Sequence, residues 1–162
     1  GDVYKRQGVS NMVIASLWAG GTVVTTSSLR PSRWMQLIEE YNVDHIYALP
    51  TKLRLLVRHC KSKLSSIKYI IAGSQVLDRQ LMEQLQHICP DMEFILYYGA
   101  SELNYITYCT GKEWLAREGT VGRPFPTVKI AENDNVIYVT TNYRIEGIPN
   151  TYTVNDLSLI HI

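Results

Sequence analysis

The sequence contains no hydrophobic run close to the roughly 18 apolar residues of a membrane-spanning helix. It has only three cysteines in 162 residues, Cys60, Cys89 and Cys109, and their wide spacing matches no metal site. An odd number of separated cysteines predicts reduced thiols that fill the core. These shortages argue against an integral membrane segment and a disulfide framework, and they predict a cytoplasmic protein.

Charge of one sign is also lacking, because 16 lysines and arginines are balanced by 15 aspartates and glutamates. Nucleic-acid-binding surfaces need a clear excess of positive charge. The basic residues that follow position 50 have no interleaved aromatic residues for base stacking. We therefore expect no nucleic-acid partner, while a hydrophobic content of 46% predicts a globular unit with a core.

The four histidines show no catalytic grouping in the sequence. His45 lies on a predicted strand and is expected to be packed or hydrogen-bonded. His59 and His87 lie on predicted helices and are expected at the surface. No histidine is predicted to pair with a cysteine or an aspartate, as nucleophilic catalysis requires.

Strands and helices alternate through the first two thirds of the sequence. Predicted strands begin near residues 22, 43, 67 and 93, and one helical pattern separates each pair. Thr51 and Asp78 are predicted to cap the last two of these helices. The alternation predicts βαβ units, and therefore an α/β fold with a parallel sheet.

The pattern changes near residue 110, where helical periodicity ends and a Gly/Pro-rich segment precedes short β-rich segments. We expect an α/β subdomain over residues 8–110 and part of a β-rich, barrel-like subdomain over residues 111–157. Residues 1–7 and 158–162 lack the caps and turns that begin or end an element. They are expected to be non-native tails on an internal fragment of a longer protein.

Three loops are predicted at the carboxyl edge of the sheet, where open parallel sheets bind ligands. They comprise residues 50–51, 73–75 and 99–102. Beside the last loop, Tyr98 offers a flat face for a planar base. Ser101 can donate to an anionic oxygen, and Glu102 is a hard oxygen ligand suited to Mg²⁺. This combination suggests a nucleotide bound with its metal, although an ordinary exposed turn accounts for the same residues.

Residues 98–102, Tyr-Gly-Ala-Ser-Glu, resemble the Tyr-Gly-x-Thr/Ser-Glu motif of the adenylate-forming (AMP-binding) superfamily, the acyl-CoA synthetases and their relatives. Four further segments resemble motifs of that family in its own order. They are residues 43–56 (Val-Pro-Thr before a leucine-rich helix), 71–77 (adenine loop), 119–126 (Gly-x-x-Gly-x-Pro-x-Pro) and 153–157 (Thr-Gly-Asp-Leu). The resemblance covers nearly all of residues 8–157.

The resemblance implies that four residues hold the nucleotide. Tyr98 would stack on the adenine, and Asp156 would accept hydrogen bonds from the ribose hydroxyls. Ser101 would hydrogen-bond the α-phosphate and Glu102 would hold Mg²⁺, which makes these two the expected catalytic residues. Chemistry of this phosphoryl type depends on positioning and on neutralisation of charge.

The resemblance also implies that Gly73, Ser74 and Gln75 line the base and the acyl carbonyl. Gly99 and Ala100, which adjoin the nucleotide, would border the acyl group. In such enzymes a carboxylate attacks the α-phosphate of ATP and gives an acyl-adenylate and pyrophosphate. A thiol, usually that of CoA, then takes the acyl group. ATP, Mg²⁺ and CoA, with a small carboxylic acid, are therefore the expected cofactors and partners.

The sequence departs from the family pattern in several places. Asn155 stands where the family usually has Gly, Gln75 and Val76 replace a small residue and Pro, and the segment 129–151 is shorter than usual. No lysine matches a catalytic position, and the phosphate loop and the C-terminal lysine domain do not occur in the sequence. The 162-residue chain is therefore expected not to catalyse alone.

The favoured interpretation is a fragment of an ATP-dependent acyl-CoA synthetase, an acid–thiol ligase whose acid is fatty, aryl or short-chain. A peptide-synthetase adenylation domain is the nearest alternative, but those domains usually carry Asn and Pro where this chain has Tyr97 and Ala100. A non-catalytic nucleotide-binding module has less need of a metal carboxylate such as Glu102. An open reading frame without a functional product is the last alternative.

Overall fold

The computed structural model describes residues 13–73, 75, 77–134 and 136–154. It confirms a mixed α/β fold, with a five-stranded sheet that has parallel and antiparallel pairs and a separate three-stranded sheet. The chain divides into two compact units. The first comprises the residues up to Ile71 with Gln75–Glu93, and the second comprises Ala72–Ser74 with the residues from Phe94 onward.

The first unit carries the helical layer and the parallel strand pair. Its elements are α1 (Ala15–Trp18), α2 (Pro31–Glu40), β1 (His45–Tyr47), α3 (Pro50–His59), β2 (Tyr69–Gly73) and α4 (Arg79–Ile88). The last two residues of β2, Ala72 and Gly73, belong to the second unit. β1 and β2 pair in parallel, with Ile46 opposite Ile70. Since α3 connects them, this part of the chain is the predicted βαβ unit.

Apolar residues spaced three or four apart give each long helix one buried face. The residues buried on these faces are Leu37 and Ile38 of α2, Leu53 and Leu56 of α3, and Leu81, Met82, Leu85 and Ile88 of α4. Asp78 caps α4 as predicted, and its carboxylate accepts a 2.8 Å hydrogen bond from the Leu81 N–H. No helix in the described residues is both long and apolar enough to span a bilayer.

Two predictions for the first unit are wrong. Residues 21–30 form no strand, although 22–26 are rich in β-branched residues, because no described strand supplies hydrogen bonds to that segment. Thr51 does not cap α3. The helix starts one residue earlier, with Leu49 as its N-cap and Pro50 as its first residue, a position that suits proline because it needs no N–H.

The second unit is mainly β-structure. Its remaining elements are β3 (Glu93–Ala100, from Phe94), β4 (Asn104–Thr110), α5 (Gly111–Ala116), β5 (Arg123–Pro124), β6 (Lys129–Asn133), β7 (Val136–Thr140) and β8 (Thr151–Val154). β4 pairs antiparallel with β3 and with β5. The second sheet is formed by β6, β7 and β8, which are also antiparallel. The predicted β-rich segments are therefore strands.

α5 is a helix that the periodicity argument missed. Thr110 and Glu113 form a capping box: the Glu113 N–H donates to the Thr110 side chain, and the Thr110 N–H donates to the Glu113 carboxylate at 2.7 Å. The Thr-x-x-Glu spacing that marks such a start is present in the sequence. The subdomain boundary near residue 110 stays a prediction.

Candidate functional site

The segment Tyr98–Glu102 ends β3 and turns the chain into β4. Ala100 pairs with Asn104, and the Leu103 N–H closes the turn by donating to the Ala100 carbonyl at 3.3 Å. An irregularity in the β3–β4 register lies between Tyr98 and Gly99. Bulges of this kind redirect side chains at strand ends, so the motif lies where the regular ladder gives way to a turn.

The turn packs against the hydrophobic core of the second unit. Leu103 is fully buried in a cluster with Ile106, Val128, Ile137 and Val139, and Tyr98 and Ala100 pack against that cluster half-buried. The packing restricts the rotamers of Tyr98. A ring held in this way loses little conformational freedom when a planar ligand stacks on it.

The polar residues of the turn face solvent. Ser101 is exposed, Glu102 is half-buried, and the Glu102 carbonyl accepts a 2.9 Å hydrogen bond from the Ile145 N–H. Asn104 has a positive φ of 56°, and its side-chain amide donates to the Tyr143 carbonyl. The backbone of the turn is therefore fixed, while the Ser101 hydroxyl lies at the surface where a ligand can reach it.

Glu102 offers a metal ion one carboxylate. No group of three or more His, Cys, Asp or Glu side chains that could hold a metal occurs in the part of the chain that the structure describes. Mg²⁺ is commonly bound by one or two carboxylates, with waters and substrate phosphates completing its shell. The turn therefore fits a metal that arrives with a nucleotide rather than one held by protein ligands alone.

Gly73 ends β2 in close contact with the strand that carries the motif. A Cβ added at Gly73 would lie 2.7 Å from two Tyr97 ring atoms and from the Tyr97 carbonyl oxygen. Real Cβ contacts are not this short, so only glycine fits. The predicted loop 73–75 therefore begins at a residue whose backbone lies so close to Tyr97 that only glycine can occupy the position.

Gln75 has a structural contact that the sequence did not reveal. Its side-chain oxygen accepts a 3.2 Å hydrogen bond from the Thr51 N–H in the first turn of α3. Such N–H groups have no partner within their own helix, so Gln75 satisfies one of them. The exposed Gln75 side chain is thus held at the N-terminus of α3 in the first unit.

An ion pair between Arg54 and Asp78 lies directly after the loop that carries Gln75. Arg54 of α3 donates to the Asp78 carboxylate through Nε at 3.2 Å and through Nη2 at 2.5 Å. These hydrogen bonds, followed by the one from the Leu81 N–H, lower the pKa of Asp78 below 3.8. Arg54, one of the basic residues that follow position 50, thus bonds to the residue that caps α4.

The remaining predicted site residues, Ser74 and Asp156, lie outside the described residues. Of the others, the structure brings Tyr98, Gly99, Ala100, Ser101 and Glu102 together at one turn. Gly73 lies in the same unit, beside Tyr97.

Two kinds of side chain outside the turn are alternative candidates for a catalytic centre. Contrary to the prediction, His45 does pair with an acid, since its Nδ1 lies 2.8 Å from Asp44 Oδ1. Both side chains are about half exposed or more, and they precede or begin β1, away from the carboxyl ends of the strands. Burial raises the pKa of Cys89 to about 12 and that of Cys109 to about 11, so neither thiol is a ready nucleophile.

The sequence matches the AMP-binding enzyme family over residues 3–141. Among curated proteins, it is 31% identical over 120 residues to VraA of Staphylococcus epidermidis, a candidate long chain fatty acid-CoA ligase, with 72% of this chain and 25% of VraA covered. It is 25% identical over 117 residues to the uncharacterised acyl-CoA ligase YhfT of Bacillus subtilis, covering 72% of this chain and 24% of YhfT. The chain thus spans about a quarter of the length of these relatives.

Among solved structures, the fold is similar to that of o-succinylbenzoate CoA synthetase (MenE) from Bacillus subtilis in complex with ATP and magnesium ion. The TM-score is 0.75 at 20% identity, and the match covers 94% of this chain and 33% of that one. At this identity the likeness concerns the fold.

Proposed function

Because the chain belongs to the AMP-binding enzyme family, we propose that the whole protein is an ATP-dependent acid–thiol ligase. It activates a carboxylic acid as an acyl-adenylate and transfers the acyl group to CoA. The observation that carries this proposal is the turn after β3, where a half-buried aromatic ring, an exposed hydroxyl and a single carboxylate follow one another on a fixed backbone. The ligase names of VraA and YhfT support it.

Three residues act on the nucleotide in this proposal. Tyr98, held by the core cluster, stacks on the adenine. The Ser101 hydroxyl donates a hydrogen bond to an α-phosphate oxygen, and Glu102 supplies one oxygen ligand to Mg²⁺. When bound, Mg²⁺ neutralises charge on the phosphates. The chain thus contributes position and electrostatic complementarity, on which adenylate formation depends.

The acid is placed by small residues in this proposal. Gly73 leaves its backbone uncovered beside Tyr97, and Gly99 and Ala100 present little bulk at the end of β3. The carboxylate can therefore approach the α-phosphate without steric obstruction. Ser74 and Gln75 line the base and the acyl carbonyl, and Asp156 accepts from the ribose hydroxyls. The carboxylate oxygen attacks phosphorus, pyrophosphate leaves, and the CoA thiol then displaces AMP.

The test is ATP–pyrophosphate exchange by the whole protein that contains the chain, compared with Glu102→Gln. We expect Glu102→Gln to lower the exchange rate about 100-fold or more, the scale for loss of one preorganised electrostatic contact. A higher Mg²⁺ concentration should partly restore the rate, because the glutamine amide binds Mg²⁺ more weakly than the carboxylate but does not prevent binding. Glu83→Gln is the control, since Glu83 is an exposed glutamate on α4 that lies outside the motif.

Robust exchange that Glu102→Gln leaves unchanged would remove the metal assignment. Absence of exchange with any carboxylic acid would remove the ligase proposal and favour a nucleotide-binding module. The acceptor is tested separately, by following acyl transfer from the preformed adenylate to free CoA. Transfer only to a carrier protein would favour the peptide-synthetase alternative.

A further inference from the structure

A partly open cavity of about 350 Å³ lies in the first unit, lined by residues of α2, β1, α3 and the irregular segment 21–30. Its wall is mainly aliphatic and includes Leu37, Ile38, Val43, Ile46, Leu53 and Leu56. The volume is at the lower end of the range for small-molecule sites, about 300–1,000 Å³. None of the residues assigned above to nucleotide or acid binding lines this cavity.

One lysine lies on this mainly apolar wall. Lys52, in the first turn of α3, lines the cavity, and its ammonium nitrogen is 5.7 Å from the centre of the Trp34 ring, which also lines it. No aspartate or glutamate is among the lining residues, and Lys52 makes no ion pair with a carboxylate elsewhere in residues 13–73, 75, 77–134 and 136–154. A half-buried cation beside an apolar space favours an anionic partner.

The part of the wall that the irregular segment forms can adjust to an occupant. Val24, Thr26, Ser28 and Leu29 belong to a segment without regular secondary structure. This segment is tied to α2 through a 2.7 Å hydrogen bond from Trp34 Nε1 to the Ser28 carbonyl. Because it lacks ladder hydrogen bonds, the segment can shift to fit a ligand at little cost in backbone bonding.

We propose that this cavity is a second binding site, for a small carboxylic acid with an apolar body. The carboxylate pairs with the Lys52 ammonium, and the apolar body packs against the aliphatic side chains of α2 and α3. An inorganic anion would leave the aliphatic wall unfilled, and an uncharged apolar molecule would give the ammonium no partner of opposite charge beside the Trp34 ring. The proposal rests on the cavity and on Lys52, and no part of the proposed ligase activity is needed for it.

The test is calorimetric titration of the whole protein with octanoate in the absence of ATP. We expect saturable binding, accompanied by a change in tryptophan emission that Trp34→Phe removes. Lys52→Met should weaken binding about tenfold or more, the scale of a hydrogen bond to a charged group. The matched control Lys61→Met, an exposed lysine two residues beyond α3, should leave binding unchanged. 1-Octanol, which has the same chain without the charge, should bind more weakly than octanoate.

A second variant tests the cavity itself, independently of Lys52. Val24→Phe fills the cavity from the irregular segment and should abolish octanoate binding without affecting binding of ATP. The proposal is overturned if octanoate does not bind, or if Val24→Phe, folded by circular dichroism, binds it as the wild type does. Equal losses in Lys52→Met and Lys61→Met, or equal affinity for 1-octanol, would also overturn it. If Val24→Phe does not fold, the two lysine variants decide the outcome.

Discussion

Replacement of Asp78 by alanine removes two interactions at once from the loop that carries Gln75. One is the N-cap of α4, the 2.8 Å hydrogen bond from the Leu81 N–H. The other is the ion pair with Arg54, whose side chain is 34% exposed while that of Asp78 is 46% exposed. Loss of an N-cap costs about 0.5–2 kcal/mol. A partly exposed ion pair adds about 0–1 kcal/mol.

We therefore expect Asp78→Ala to lower the free energy of unfolding by about 1.5 kcal/mol at neutral pH. With a urea dependence of about 1–3 kcal/mol/M, the midpoint falls by roughly 0.5–1.5 M, as measured by far-UV circular dichroism. Asp78→Asn keeps a capping oxygen and loses only the ion pair, so it should cost about 0.5 kcal/mol. Arg54→Met should match Asp78→Asn, because it removes the same pair from the other side.

The pH dependence has a definite sign. The pKa of Asp78 is lowered in the folded state, chiefly by Arg54, so its carboxylate stabilises the fold at pH values above the unfolded pKa of 3.8. This stabilisation is lost as the pH falls through the lower folded pKa. The difference between wild type and Asp78→Asn should accordingly shrink below pH 3.8. If Asp78→Asn cost as much as Asp78→Ala, or if the difference did not change with pH, the division into cap and ion pair would be refuted.

Two further substitutions test the packing of the second unit by chemical denaturation. Gly73→Ala should destabilise by about 1–3 kcal/mol, because its Cβ would lie 2.7 Å from Tyr97 ring atoms. Gly119→Ala, whose Cβ would meet nothing within 4 Å, should cost only about 1 kcal/mol for its positive φ, and an equal cost at both sites would contradict the steric argument. Thr107→Val should be neutral or stabilising by about 1 kcal/mol, because the buried Thr107 hydroxyl finds no partner among the described residues. A clear destabilisation would show that this hydroxyl is hydrogen-bonded.

Local patterns in the sequence predicted those features of the fold whose causes are local. Asp78 precedes an apolar stripe at helical spacing, and the carboxylate caps α4 as that arrangement predicts. The thiols of Cys89 and Cys109 are buried, as expected for core-filling cysteines. The hydrophobic end of β3 and the turn after it were predicted from residues 94–102, which lie next to one another in the chain.

The wrong predictions depend on partners that are distant in sequence. Residues 22–26 have strand composition, but composition supplies no neighbouring strand. Thr51 was predicted as a cap from its residue type, whereas Pro50 begins α3 and the Thr51 N–H bonds to Gln75, which is 24 residues away. The pairing of His45 with Asp44 is the exception, because the two residues are adjacent in the chain.

The hydrogen bond from the Ile145 N–H to the Glu102 carbonyl connects the loop after β7 with the turn after β3, two stretches that are distant in sequence. A second bond, from the Asn104 side chain to the Tyr143 carbonyl, runs beside it. Together the two hydrogen bonds tie the loop that follows β7 to the turn after β3. We therefore expect an insertion or deletion near Tyr143 to shift the turn, and with it the Glu102 carboxylate. If Glu102 holds Mg²⁺ as proposed, the length of the loop between Thr141 and Ile148 helps to set the position of that carboxylate.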